Sequence, residues 1–172
     1  KEMILKSAEK INTHAVKYVE WRVDFFKHMY DIEQVIDILH EIKSIIKDKK
    51  LIFTFRSKAE GGESVPFNLN YEEILHEVAK VGIADYVDIE MFQQRQYVLS
   101  LVEAVKSKGK KVIGSYHNFS LTPSIVEMCD KLQTIKYMQA DMAKIAVMPV
   151  CNMDVIRLLE ATEIMKDKLS IP

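Results

Sequence analysis

Cysteine, glycine and proline are scarce in this chain, and each scarcity excludes something. The two cysteines, Cys129 and Cys151, are too far apart for a C-x-x-C pair, and neither has zinc-ligand spacing around it. Both read as reduced thiols of the kind cytosolic proteins keep, with Cys129 serving helix packing. The 5 glycines and 4 prolines fall between periodic segments, so no linker, low-complexity tract or domain boundary divides the chain. No apolar run reaches membrane-spanning length, and no signal peptide is read at the start. Neither sign of charge dominates: 24 Lys and Arg stand against 25 Asp and Glu, for a net charge of -1. No basic cluster is interleaved with aromatics, so there is no bias toward nucleic acid or an anionic membrane. A G-x-S-x-G elbow and a phosphate-cradling glycine pattern after a strand are also missing. What remains is a single cytoplasmic domain over residues 1–172, with ample chain to bury a core.

What is present is alternation. Residues 2–14 have helical spacing, with Ile4, Leu5, Ala8 and Ile11 on one face. Residues 16–26 alternate, Val19, Trp21 and Val23 on one side and Glu20, Arg22 and Asp24 on the other. Asp31 caps a helix to residue 48 with Val35, Ile38, Leu39, Ile42 and Ile45 as its stripe. A strand over 51–56 leads into a loop over 57–70, where Gly61-Gly62 supplies flexibility. Asn70 caps a helix that Gly82 ends. A strand over 86–91, a helix over 93–107 and a strand over 111–117 follow. Thr122-Pro123 opens the next helix, with proline at its first position. A buried strand over 141–149 contains Lys144, and a helix over 152–167 completes the pattern. One helix followed by five strand–helix units predicts a parallel sheet with right-handed crossovers. A doubly wound open sheet and part of an eight-stranded barrel both fit, and a complete barrel needs about 200 residues or more.

The strand faces favour the barrel. Both faces of a doubly wound sheet lie under helices and read apolar. Here one face turns polar toward the C-terminal strand ends: Glu20, Arg22 and Asp24, then Thr54 and Arg56, Asp88 and Glu90, Ser115 and His117, and Lys144. A barrel enzyme builds its site from that end. Lys144 on a buried strand loses solvation, and a neutral amine can form a Schiff base with a carbonyl. His117 can shuttle a proton near neutral pH. Arg22 and Arg56 can receive a carboxylate or hydroxyls, while Glu20, Asp24, Asp88 and Glu90 balance their charge.

Four blocks carry a resemblance: Glu20-Trp21-Arg22-Val23-Asp24; Phe53-Thr54-Phe55-Arg56-Ser57 with Glu60-Gly61-Gly62-Glu63; Ser115-Tyr116-His117-Asn118-Phe119 with Thr122-Pro123; and Lys144-Ile145-Ala146-Val147-Met148-Pro149. In order and spacing they resemble type I 3-dehydroquinate dehydratase over essentially the whole chain. The resemblance implies an α/β fold, a (β/α)8 TIM barrel of the shikimate pathway. It implies dehydration of the small-molecule substrate 3-dehydroquinate to 3-dehydroshikimate, without metal or organic cofactor. By position, Lys144 matches the Schiff-base lysine, His117 the general acid/base and Glu60 the carboxylate that orients it. Glu20, Arg22 and Arg56 match substrate-pocket residues. The family usually has Asn-His-Asp around the histidine, whereas this chain has Tyr116-His117-Asn118. The match also implies an incomplete barrel: strands 2–6 with helices 1–6, the first strand falling before Lys1 and the seventh and eighth after Pro172. A homodimer is the expected assembly. Another class I Schiff-base barrel enzyme such as an aldolase, a non-catalytic α/β binding domain and an inactive fragment are the rival readings.

Overall fold

The computed structural model describes residues 1–63 and 69–172. Among these residues six helices and five strands alternate: α1 Glu2–Asn12, β1 Tyr18–Arg22, α2 Ile32–Ile46, β2 Lys50–Thr54, α3 Leu69–Val81, β3 Tyr86–Glu90, α4 Arg95–Ser107, β4 Lys111–Asn118, α5 Ile125–Tyr137, β5 Met142–Val147 and α6 Asn152–Leu169. Two short 3-10 turns, Val23–Phe25 and Lys58–Glu60, follow β1 and β2.

The strands pair in chain order, β1-β2-β3-β4-β5, and every pairing is parallel. A doubly wound sheet reverses its strand order at a switch point; this one does not. Right-handed crossovers that always step the same way put all the helices on one face. The result is an α/β fold with a curled half-barrel of five strands, as a partial TIM barrel requires. Val19, Trp21, Leu51, Phe53, Phe55, Val87, Ile89 and Val112 point outward and are buried beneath the helices. They meet Ile38, Leu39 and Ile42 of α2, Ile74, Leu75 and Val78 of α3, and Val98, Leu101 and Val105 of α4 in one core. A smaller cluster of Leu132, Met165 and Leu169 joins α5 to α6, with Cys129 packed against it as expected. Among the described residues no helix is long and apolar enough to cross a membrane.

Local chemistry sets the element ends. Asp31 caps α2 by accepting from the Gln34 backbone N–H at 3.1 Å. Helix α5 begins at Ile125, two residues beyond the proline expected to open it. Ser124 is its N-cap, accepting from the Glu127 N–H at 3.3 Å while Glu127 accepts from the Ser124 N–H at 2.9 Å. Asn70, expected to cap α3, lies inside it, because the helix begins at Leu69. Of the expected 57–70 loop, residues 64–68 lie outside the described residues. Strand β1 is shorter than its alternation suggested, since the chain leaves the sheet at Arg22 for a 3-10 turn. Strand β5 was expected to be buried, yet every one of its residues is half-exposed. It pairs with β4 on one side, and on the other the Ala143 N–H donates to the Pro172 carbonyl at 2.7 Å.

Gly114 lets α5 sit down on β4. A Cβ built there would lie 2.5 Å from Ile135 Cγ2, 2.8 Å from Met91 Cε and 2.9 Å from Ala140 Cβ. Gly114→Ala should therefore destabilise the fold by about 1–3 kcal/mol through overpacking. Urea unfolding should show a lower midpoint; an unchanged one would mean that α5 repacks freely.

Candidate active site

The inner face of the sheet is a ladder of polar side chains. Parallel register sets Arg22 beside Thr54 and Thr54 beside Asp88. Higher up, Glu90 lies beside Ser115 and Ser115 beside Lys144. The residues just past the strand ends complete the site.

Arg56, immediately after β2, is its centre. Its side chain is 3% exposed, and its guanidinium lies 2.7 Å from Asp88 Oδ1 and 3.3 Å from Glu90 Oε1. It also donates to Ser115 Oγ at 2.9 Å and lies 3.5 Å from Glu60 Oε2. Burial works against the charged forms of these groups, but pairing offsets it. Arg56 is held above the usual arginine range, since Asp88 and Glu90 outweigh its burial. Burial pushes the Asp88 carboxyl up, yet the charges of Arg56 and Lys144 prevail and hold it below the carboxylate range. Glu90 rises, mainly through burial. Ser57 secures Glu90 from the other side, donating its N–H at 2.7 Å and its hydroxyl at 2.6 Å.

Lys144 stands between two carboxylates. Its Nζ donates to Asp88 Oδ2 at 3.2 Å and lies 3.9 Å from Glu20 Oε1. Glu20 is itself steadied by the Thr54 hydroxyl at 2.6 Å. The buried lysine expected from the sequence is instead 40% exposed, because β5 has a helix-covered face but an open inner one. An open cavity of ≈ 690 Å³ extends from Glu20 and Lys144 over an apolar floor that includes Ile52, Ile113 and Met142.

Glu60, from the 3-10 turn after β2, and His117, near the end of β4, come together. Glu60 Oε2 lies 2.9 Å from His117 Nδ1 and accepts the His117 backbone N–H at 3.1 Å. Burial pushes the Glu60 carboxyl up to about 7. Burial, reinforced by the Arg56 charge, lowers the His117 imidazole to about 4. Burial thus favours a neutral ring and a protonated carboxyl, against the near-neutral titration expected of the histidine. When Glu60 is ionised, its Oε2 takes the Nδ1 proton as a hydrogen bond and leaves Nε2 with a free lone pair. When Glu60 is protonated it donates to Nδ1, and the neutral ring then carries its proton on Nε2.

Gly61-Gly62, expected to supply flexibility, serves close packing. Gly61 has φ +83, and a Cβ there would lie 2.2 Å from the Phe119 ring. A Cβ on Gly62 would lie 2.0 Å from the Arg56 carbonyl oxygen. Two bare backbones thus let the loop fold back over Arg56 and under Phe119. The Phe119 ring stacks on His117 with centroids 6.3 Å apart and planes 7° from parallel. Asn118, where the family usually has an acid, caps the turn after β4 by accepting the Ser120 and Leu121 N–H groups.

Asp24 also departs from the expected pattern. The turn after Arg22 carries it off the strand face and buries it. Arg22 clasps it through Nε at 2.8 Å and Nη2 at 2.7 Å. All six candidate residues, Glu20, Arg22, Arg56, Glu60, His117 and Lys144, lie along or just beyond the inner strand ends. Sequence reasoning did not assign parts to Ser57 and Phe119, whose hydroxyl and ring have no periodic signal. No group of three His, Cys, Asp or Glu that could hold a metal is found among the described residues.

A family model for type I 3-dehydroquinase matches residues 1–172. The 3-dehydroquinate dehydratase of Bacillus licheniformis is 44% identical over 149 residues, covering 87% of this chain and 59% of that protein. The Clostridium botulinum enzyme of the same name is 41% identical over 166 residues, covering 96% of this chain and 65% of that protein. The chain therefore spans about two thirds or less of the length of these curated relatives. Among solved structures, 3-dehydroquinate dehydratase from Enterococcus faecalis superposes with TM-score 0.92 at 36% identity, covering 95% of this chain and 68% of that one. Type I 3-dehydroquinate dehydratase from Clostridium difficile, with covalent modified comenic acid, gives TM-score 0.92 at 38% identity, covering 95% of this chain and 65% of that one. Joined to the inner-face ladder and the sequential parallel sheet, these matches lead to one conclusion: the chain belongs to the type I 3-dehydroquinase family.

Proposed function

We propose that the protein carrying this chain is a 3-dehydroquinate dehydratase, a carbon–oxygen lyase that works through an imine on Lys144. The observation that carries the reading is Lys144 held at 3.2 Å by buried Asp88, on the same inner face as the hydrogen-bonded Glu60–His117 pair. The five strands are read as strands 2–6 of an eight-stranded barrel and α1–α6 as its helices 1–6, in one incomplete domain. The structural relative with covalent modified comenic acid supports covalent chemistry in the family.

Lys144 Nζ, after giving up a proton, attacks the substrate ketone, and loss of water forms the imine. The protonated imine is an electron sink, so the adjacent C–H becomes acidic. His117 Nε2 removes that proton while Glu60 holds Nδ1–H. The enamine then expels the β-hydroxyl, to which His117 returns the proton so that water leaves. Hydrolysis of the imine frees 3-dehydroshikimate and restores the amine. Glu20 and Arg22 bind substrate hydroxyls at the pocket wall. Arg56 also contacts the substrate, and its burial adds a second duty: it neutralises Asp88 and Glu90.

Borohydride added during turnover should fix one ligand mass on the peptide that contains Lys144, and Lys144→Met should abolish it. Label on another peptide would refute the assignment. Arg56→Ala should destabilise the fold by about 3–5 kcal/mol, because two buried carboxylates lose their counter-charge. Retained stability with weakened substrate affinity would make Arg56 a binding group alone. The pH profile follows from the proton between Glu60 and His117. Losing it frees Nε2, so kcat/KM should rise as pH increases through about 7, where Glu60 titrates. In Glu60→Gln that limb should vanish. A limb unchanged by the substitution would assign the titration to another group.

A further inference from the structure

Asp24 has geometry that neither substrate binding nor proton transfer uses. Its carboxylate is buried and accepts from four N–H groups on three segments. Two come from Arg22 at the end of β1, through Nε at 2.8 Å and Nη2 at 2.7 Å. The third is the Arg56 backbone N–H, to Oδ1 at 3.4 Å. The fourth is the Glu63 backbone N–H, to Oδ2 at 3.2 Å. Arg56 and Glu63 bracket the turn that presents Glu60 to His117, so a single carboxylate ties both feet of that turn. Within it the Gly62 N–H donates to the Ser57 carbonyl at 2.8 Å, and Ser57 is anchored to Glu90. Asp24 is stabilised as a carboxylate: burial works against its charge, but Arg22 and the backbone N–H groups outweigh it.

We propose that Asp24 is a positioning residue, a clamp that sets where Glu60 meets His117 by holding the Arg56 and Glu63 N–H groups, and that ties this acid–base pair to the substrate-facing Arg22. The inference rests on the dehydratase reading only for its kinetic readout. Asn is close in shape to Asp, but its amide nitrogen cannot accept. Asp24→Asn therefore leaves one backbone N–H without its acceptor and weakens the Arg22 clasp. The turn is then free to shift Glu60, and misplacement on this scale lowers kcat by about 10–100-fold.

Asp24→Asn and Arg22→Ala should be compared in the intact protein, by kinetics and by nitrogen-15 NMR titration of the His117 ring without substrate. Arg22→Ala should raise KM and leave the His117 titration in place. Asp24→Asn should lower kcat and displace that titration. Identical behaviour of the two variants, with the ring titration unmoved, would reduce Asp24 to a partner of Arg22 and overturn the clamp. If the protein turns over no 3-dehydroquinate, the dehydratase reading fails, while the ring titration still tests the clamp. If Asp24→Asn does not fold, amide exchange in the unaltered protein decides: slow exchange at Arg56 and Glu63 supports the clamp, and fast exchange at Glu63 overturns it.

Discussion

The inner face depends on one buried guanidinium. Arg56 is enclosed by Asp88, Glu90 and Glu60, with Ser115 as a neutral partner. Without it, three carboxylates would share a pocket with little water, and repulsion and desolvation would protonate them or open the sheet. With it, Asp88 keeps its charge and can hold Lys144. Glu90 fixes Ser57 at the entry to the turn that carries Glu60. A planar fork with five donors suits this place better than an ammonium, because several oxygens must be met at once in fixed directions.

From that charge outward, the site divides into two halves with different solvation. Lys144, between Asp88 and Glu20, faces the open cavity and remains partly wet. Glu60 and His117 lie deeper, under the Phe119 ring, where burial moves the carboxyl up and the imidazole down. The two shifts reverse the ordinary order of the pair, so that a shared proton is favoured on Glu60 rather than on His117. The imidazole therefore stays neutral, and the protonation of Glu60 decides whether Nε2 carries a proton or a free lone pair, as general acid–base chemistry needs.

The opposite shifts also bear on stability. Glu60 binds its proton more tightly folded than unfolded, so its contribution declines as pH rises from about 4.5 to about 7. His117 binds its proton less tightly when folded, so its contribution grows as pH rises from about 4 to about 6.5. The two effects oppose each other across the overlap. The pair can therefore be tuned for proton transfer with little net pH dependence of the fold.

Much of this was legible in the chain. Among the described residues, period-2 and period-3.6 patterns located the five strands and six α-helices, though not the two 3-10 turns, because one-sided burial writes itself into apolar spacing. Polar inner faces at Thr54, Asp88, Ser115 and Lys144 pointed to a barrel rather than a doubly wound sheet, since uncovered strand faces need not be apolar. The four blocks of the resemblance contain all six candidate residues. Spacing could not say how far Lys144 is exposed, because that depends on which neighbours cover β5. Nor could it reveal that Gly61 and Gly62 serve close approach to Phe119 and Arg56, or that Asp24 leaves its strand to join Arg22, Arg56 and Glu63. The local sequence determined the elements and the chemistry that each strand end offers. Tertiary structure decided which charges meet and how dry they are, because desolvation and pairing are properties of the packed neighbourhood and not of the residue.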